Sequence, residues 1–169
     1  MKKIIVSAFG LDKPGIVSKI SEIITTNCGN IEHSKMTLLE DHFAMLILVS
    51  YNIKNEKQLY ESLENIDNLQ IKIVKVNISS YNIKSNYKIS LSGADNEGIV
   101  HKLTNLLASK NINISDIVTK TTNAPITGLV LFEMDAEIDI SDSINLNSFE
   151  KEIDIMANKL DVDILIEKI

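Results

Sequence analysis

Two short runs of the chain carry residue types and spacing that can do chemistry. Gly10-Leu11-Asp12-Lys13-Pro14-Gly15-Ile16-Val17 recurs as Gly93-Ala94-Asp95-Asn96-Glu97-Gly98-Ile99-Val100. Each run ends where an apolar helical periodicity begins, so each reads as a strand-to-helix loop. The first N–H groups of a helix lack intrahelical partners and sit at the positive end of its dipole, so such a loop can receive a carboxylate. Gly15 and Gly98 lack a Cβ and permit close backbone approach, while Asp12 and Asp95 can pair with an ammonium or cap the helix. Asn30 and Asn113 open the strand after each helix and, read as lying beside the loop, add an acceptor and two donors for a ligand's polar ends. A structural reading stands next to this one: Asp before a helix is a common N-cap, and Gly serves tight turns.

Other chemistry finds little footing. His33, His42 and His101 share no spacing between the two runs and no nucleophile partner, and read as surface or strand histidines. Cys28 is the one cysteine, which excludes an intramolecular disulfide and a multi-cysteine metal cage and points to a reducing, cytoplasmic setting. No phosphate loop, metal site or catalytic triad is spelled out, so neither catalysis nor a cofactor is expected. The chain has 169 residues with 17 basic and 23 acidic side chains, net charge −6, and every basic residue is Lys. An acidic chain without a guanidinium fork is a poor candidate for direct nucleic-acid binding. The apolar start Ile4-Ile5-Val6 is cut by Ser7 and Gly10, too short for a signal core or a membrane span.

The elements that must hold the loops repeat with them. Upstream, Ile4, Val6, Ala8 and Tyr87, Ile89, Leu91 alternate as strands. Downstream, Ile16, Val17, Ile20, Ile23, Ile24 and Ile99, Val100, Leu103, Leu106, Leu107 make matching helical faces. Asn27, Gly29 and Asn111 mark the helix ends as residues that tolerate a left-handed cap. Paired strands are predicted over 30–39 with 43–50, and over 113–121 with 128–134, the turns being Glu40-Asp41-His42 and Asn123-Ala124-Pro125. Second helices follow, with faces Leu59, Leu63, Ile66 and Phe149, Ile153, Met156, Leu160, and last strands over 69–78 and 162–169. The second copy is longer, and its insertion is placed in the acidic stretch 135–147. Each copy is therefore βαββαβ, and the fold class is α+β, two tandem ferredoxin-like units with helices on one face of an antiparallel sheet. The expected divisions are 1–79, a linker at 80–86, and 87–169.

The fold alone leaves function open. An RNA-recognition module would need a basic, aromatic third strand, and Phe43-Ala44-Met45-Leu46-Ile47-Leu48 is apolar. The loop Gly-x-Asp-x-Pro-Gly-Ile-Val, an apolar helix and then Asn-Ile resemble the ACT family of small-molecule regulatory domains. Both copies match, although Glu97 replaces the proline in the second and adds a negative charge. Two such domains with little else attached resemble the transcriptional repressors of the glycine cleavage system, and the second-copy run Asp116-Ile117-Val118-Thr119 with Leu131-Phe132-Glu133-Met134 adds to that resemblance. The resemblance implies a regulator without catalytic activity that senses a small amino acid, with glycine and serine as candidates. The implied ligand residues are Asp12, Pro14, Gly15, Ile16, Asn30 and Ile31, and Asp95, Gly98, Ile99, Asn113 and Ile114. It further implies a protein partner such as a DNA-bound transcription activator. Separately, one helix-free sheet face per domain must be covered or it would expose a large apolar patch, so the two domains are expected to pack on each other or on a second chain as a homodimer. The alternative is a constitutive interaction module that has lost its ligand.

Overall fold

The computed structural model describes residues 1–76, 86–123 and 128–169. The chain divides into two compact units, Met1–Ser80 and Tyr81–Ile169. Most of the expected linker lies outside the described residues. Asn86, at its end, is tied into the second unit: its side chain donates to the Ile140 carbonyl at 2.7 Å and accepts from the Ile140 N–H at 2.8 Å.

The first unit runs β1 (Lys2–Leu11), α1 (Ile16–Thr26), β2 (Asn30–Leu39), β3 (His42–Tyr51), α2 (Glu56–Glu64), β4 (Leu69–Val76), with a short 3-10 turn at Ile53–Asn55. The second runs β5 (Tyr87–Ala94), α3 (Ile99–Ser109), β6 (Asn113–Asn123), β7 (Val130–Asp139), α4 (Leu146–Leu160), β8 (Val162–Lys168). Strand orders are β2-β3-β1-β4 and β6-β7-β5-β8, antiparallel at every pairing. This is the ferredoxin-like arrangement twice over.

Period-two alternation on β1 and β3 sends Ile4, Val6, Ala8 and Phe43, Met45, Ile47, Val49 to one side, where they meet Ile20 and Ile24 of α1 and Leu59 and Leu63 of α2. The second core is built alike from Ile89, Leu91, Leu103, Leu107, Met134, Ile138, Phe149 and Ile153. Each such side chain taken fully out of water contributes about 1.5–3 kcal/mol. Tyr51 is buried to the last atom, and its hydroxyl has no hydrogen-bond partner of good geometry. Burial first, and then the neighbouring Tyr60 and Glu56, push its phenol above the ordinary range.

Several expectations need correction. Val17, placed on the core face of α1, is exposed, because the apolar stripe narrows at the first turn of that helix. Ile66 lies beyond the end of α2 yet still packs on the core from the connecting turn. At the end of α1 the left-handed residue is Cys28, at φ 57°, rather than Asn27 or Gly29. Gly29 answers a steric need instead: a Cβ there would stand 3.0 Å from Ile24 Cγ2 and 3.3 Å from Val49 Cγ1. Asn111 does take the left-handed conformation expected of it, at φ 57°.

The insertion is also elsewhere. Gly10 pairs with Phe43 and Gly93 with Phe132, so the second copy has gained most of its extra length before Phe132, in the β6–β7 hairpin. The stretch 135–139, read as loop, is the far half of β7, where Asp135, Glu137 and Asp139 alternate with Ala136 and Ile138. The turn expected at Asn123-Ala124-Pro125 falls, beyond Asn123, outside the described residues.

Candidate functional site

β1 delivers the chain to the first loop at Leu11, and the N–H of Asp12 donates to the Asp41 carbonyl at 2.8 Å, anchoring the loop to the β2–β3 turn. Asp12, Lys13 and Pro14 are exposed, and Gly15 precedes the helix at φ 95° and ψ −6°, a conformation that L side chains rarely adopt. No side chain caps α1, so the capping role offered for Asp12 is not used. The first full helical bond runs from the Lys19 N–H to the Gly15 carbonyl at 2.8 Å, and the Ile16 N–H reaches the Lys13 carbonyl at 3.4 Å. The N–H groups of Val17 and Ser18 have no backbone partner among the described residues. What results is an uncapped helix start with open donors, an exposed carboxylate three residues ahead of the Gly, and no side chain in front of Gly15.

The second loop has the same backbone and different ties. Gly98 stands at φ 81°, α3 has no side-chain cap, and the Asp95 N–H donates to the Val130 carbonyl at 3.2 Å. Here Asn96 also donates its side-chain amide to the Leu160 carbonyl at 3.3 Å, fastening the loop to the end of α4. Ile99 is buried in the core, whereas Ile16 is only partly buried. Glu97 is exposed within the loop, where its charge opposes an incoming carboxylate.

The asparagines do not join these loops. Asn30 pairs with Ser50, which lies across from Lys3, whereas the loop leaves the sheet at Leu11 across from His42. At about 3.3 Å per residue, the two lie roughly 25 Å apart at opposite ends of the sheet. Asn113, paired with Asp139, is placed the same way in the second unit. The helix between loop and asparagine carries the chain back along the full length of the sheet, so closeness in the motif became distance in space. Ile31 and Ile114, next to them, pack against the two cores.

Residues beside the first loop were passed over. The rings of Phe9 and His42 stack with centroids 5.3 Å apart, and His42 Nδ1 lies 2.6 Å from Asp41 Oδ1. Phe9 occupies the helix-free face just before the loop, and an aromatic at an outward strand position was the available signal.

On the helix-free face of the second sheet lies a depression of about 630 Å³, lined in part by Ser90, Ser92, Glu133, Asp135, Asp163 and Leu165. Hydrogen bonds from Lys120 at 2.7 Å and Thr122 at 3.1 Å hold the Glu133 carboxyl below its ordinary range. Ser90 at 2.6 Å and Lys88 at 2.9 Å do the same for Asp135. Among the described residues no group of three or more His, Cys, Asp or Glu side chains is placed to hold a metal ion. Carboxyls whose folded pKa is depressed add stability above their unfolded pKa, and that stability is lost as pH falls through the folded value. The melting temperature of the second unit should therefore fall as the pH is taken below the ordinary aspartate value of 3.8, and Asp135→Asn should flatten that fall in scanning calorimetry across the acid range.

Comparison with known proteins places the fold. A profile of the ACT domain family matches residues 2–74. A UPF0237 protein of Methanococcus maripaludis is 32% identical over 84 residues, covering 49% of this chain and 92% of that protein. The glycine cleavage system transcriptional repressor of Escherichia coli is 25% identical over 124 residues, spanning 70% of this chain and 64% of the repressor's length. A crystal structure of an unknown protein from Galdieria sulphuraria superposes with a TM-score of 0.88 at 31% identity, covering 99% of this chain and 98% of that one. No helix among the described residues is long and apolar enough to cross a membrane.

Proposed function

The chain belongs to the ACT domain family, and from that premise we propose that it is a regulator without catalytic activity, whose first unit binds a small amino acid at the β1–α1 loop. The observation that carries this reading is the left-handed Gly15 turn, which leaves the first amides of α1 unfilled beside the exposed carboxylate of Asp12. An α-amino acid carries the two complementary charges a short distance apart. Its carboxylate takes the helix start and its ammonium takes Asp12, with Pro14 and Ile16 lining the approach. Glycine and serine are the candidates that the similarity to the glycine cleavage repressor suggests.

The second unit is the weaker binder. Asp95, Gly98 and Ile99 repeat the geometry, but the charge of Glu97 and the Asn96 tie work against a ligand. A constitutive interaction role suits that unit better. Asn30, Ile31, Asn113 and Ile114 are left out of the proposed site, because the topology separates them from the loop of their own unit.

The similarity to the glycine cleavage repressor supports a role in transcriptional control. With net charge −6 and no arginine, that control runs through a protein partner, such as a DNA-bound activator, in the cytoplasm. The test is thermal unfolding of the full chain against each amino acid at millimolar concentration. An effector present at about 100 times its Kd adds about 2.7 kcal/mol to the binding unit. Asp12→Ala should abolish the shift and Asp95→Ala should leave it. No shift with any amino acid, or a shift indifferent to Asp12→Ala, overturns the proposal.

A further inference from the structure

The two helix-free sheet faces differ in chemistry although the units share one fold. Residues directly opposite in an antiparallel pair share a face, so the register assigns each face. On the first sheet that face carries Ile5 and Phe9 of β1, Leu46 and Leu48 of β3, and Val74 of β4. On the second it carries Lys88, Ser90 and Ser92 of β5, with Glu133, Asp135 and Glu137 of β7 on one side and Asp163, Leu165 and Glu167 of β8 on the other. Both units close the same fold under faces of opposite character, so folding does not call for the carboxylates.

The depression on the second face follows the middle strand. Ser90 and Ser92 are short and make its floor, while the longer side chains of Glu133 and Asp135 on one side, and of Asp163 and Leu165 on the other, stand above them as walls. Two wall carboxylates already have a cation: Lys120 lies 2.7 Å from Glu133 and Lys88 2.9 Å from Asp135. Glu137, Asp163 and Glu167 are exposed and have no ion pair among the described residues. The carboxylates outnumber Lys88 and Lys120, so the trough stays negative.

We propose that the trough along β5 is the docking surface for an extended basic segment of a protein partner, one that presents a basic, an apolar and a basic side chain at alternate positions. This rests on the reading above that the chain acts through a protein partner and that the second unit serves interaction. β8 sets the pattern. Asp163, Leu165 and Glu167 follow one another on this face about 6.8 Å apart, two residues of strand. An extended segment alternates its side chains with the same repeat, so two of its cations meet Asp163 and Glu167 while the residue between them covers Leu165, which is 56% exposed. Glu137 lies opposite Lys88, as Glu167 does, and adds a second carboxylate at that end. The width selects an extended chain over a helix. β7 and β8 run about 9.6 Å apart on either side of β5, and their side chains narrow that gap below the roughly 10 Å girth of a helix. The charges select and steer the partner, and the cover over Leu165 adds apolar burial.

The test is the fluorescence anisotropy of a labelled peptide, Lys-Ser-Leu-Ser-Lys, titrated with the full chain and with no amino acid added. Saturable binding is expected, weakened about tenfold by Asp163→Lys and about threefold by the milder Asp163→Asn, while the far-ultraviolet circular dichroism stays that of the parent. Asp154→Lys, the same charge change on the exposed side of α4, should leave binding within about a factor of two, because salt screens a distant surface charge. A peptide that does not bind overturns the proposal. So does a loss that Asp154→Lys matches, which is bulk charge, or a peptide with Ser in place of Leu that binds as well, which is a simple cation site. A labelled DNA duplex titrated beside the peptide separates this proposal from the reading it rests on. Binding of the duplex overturns both, whereas a peptide and a duplex that both stay free overturn this one alone.

Discussion

Gly10→Val should cost the first unit about 3 kcal/mol, and Gly93→Val should do the same to the second, the upper part of the range for overpacking a filled site. A Cβ on Gly10 would collide with the backbone carbonyl oxygen of Asn68 and lie 2.8 Å from Leu69 Cδ2. On Gly93 it would lie 2.6 Å from Val162 Cγ1 and 2.9 Å from Val162 Cα. Backbone cannot step aside as a flexible side chain can, and Asn68 and Asp161 are already fixed in left-handed turns at φ 64° and φ 55°. Midpoints should fall by about 15 °C in circular dichroism melts of units this size. Gly15→Ala makes a useful contrast. Nothing lies within 4 Å of its Cβ, so its cost is the conformational one of φ 95°, about 1 kcal/mol. A Gly10→Val chain that melts with the parent would remove the packing explanation for the first glycine of the motif.

Phe149→Ala should be as damaging and confined to one unit. Phe149 is 1% exposed and sits among Ile153, Leu103 and their neighbours in the second core, which shares no residue with the first. Truncating a buried phenylalanine costs about 3–5 kcal/mol, most of what an 80-residue unit has to spare. Calorimetry should show the second unit's transition moved far down while the first keeps its position and its response to the effector. If the amino-acid response disappears along with the second unit, the first loop is not sufficient and the site has been assigned to too little of the chain.

These effects separate two meanings of one motif. The first glycine of each loop is a packing requirement against the incoming last strand, and the second is a conformational requirement at the helix start. Neither needs a ligand. What exceeds the needs of folding is the exposed Asp12 beside unfilled amides, and the first loop keeps that combination more openly than the second.

The repeat made the architecture legible, because the apolar spacing of Ile16 to Ile24 recurs in Ile99 to Leu107 and each strand alternates in register with its copy. β2 was legible to the residue, since Asn30 follows a clear helix stop and Glu40-Asp41 a clear turn. The acidic half of β7 was not: Asp135, Glu137 and Asp139 imitate a loop until pairing with β5 shows that they alternate about a buried Ile138. The candidate site was half legible. Composition and spacing pointed to the loop and its helix, but Asn30 lies at the far end of the sheet because an eleven-residue helix intervenes. Such separations are set by chain direction, which the one-dimensional motif does not carry. The contrast between the two bare faces was hidden for a related reason. It emerges only when register assigns Ile5, Leu46 and Val74 to one surface.

The most direct measurement of the central claim is a titration of the ¹⁵N-labelled chain with glycine and with serine, followed through its backbone amide resonances. Saturable shifts concentrated at Gly15, Ile16, Val17 and Ser18, with Asn30 and the second-unit amides Gly98 to His101 unmoved, are the expected result. Amides that stay still throughout, or that move at the acidic sheet face and not at the first loop, would contradict amino-acid binding at the start of α1.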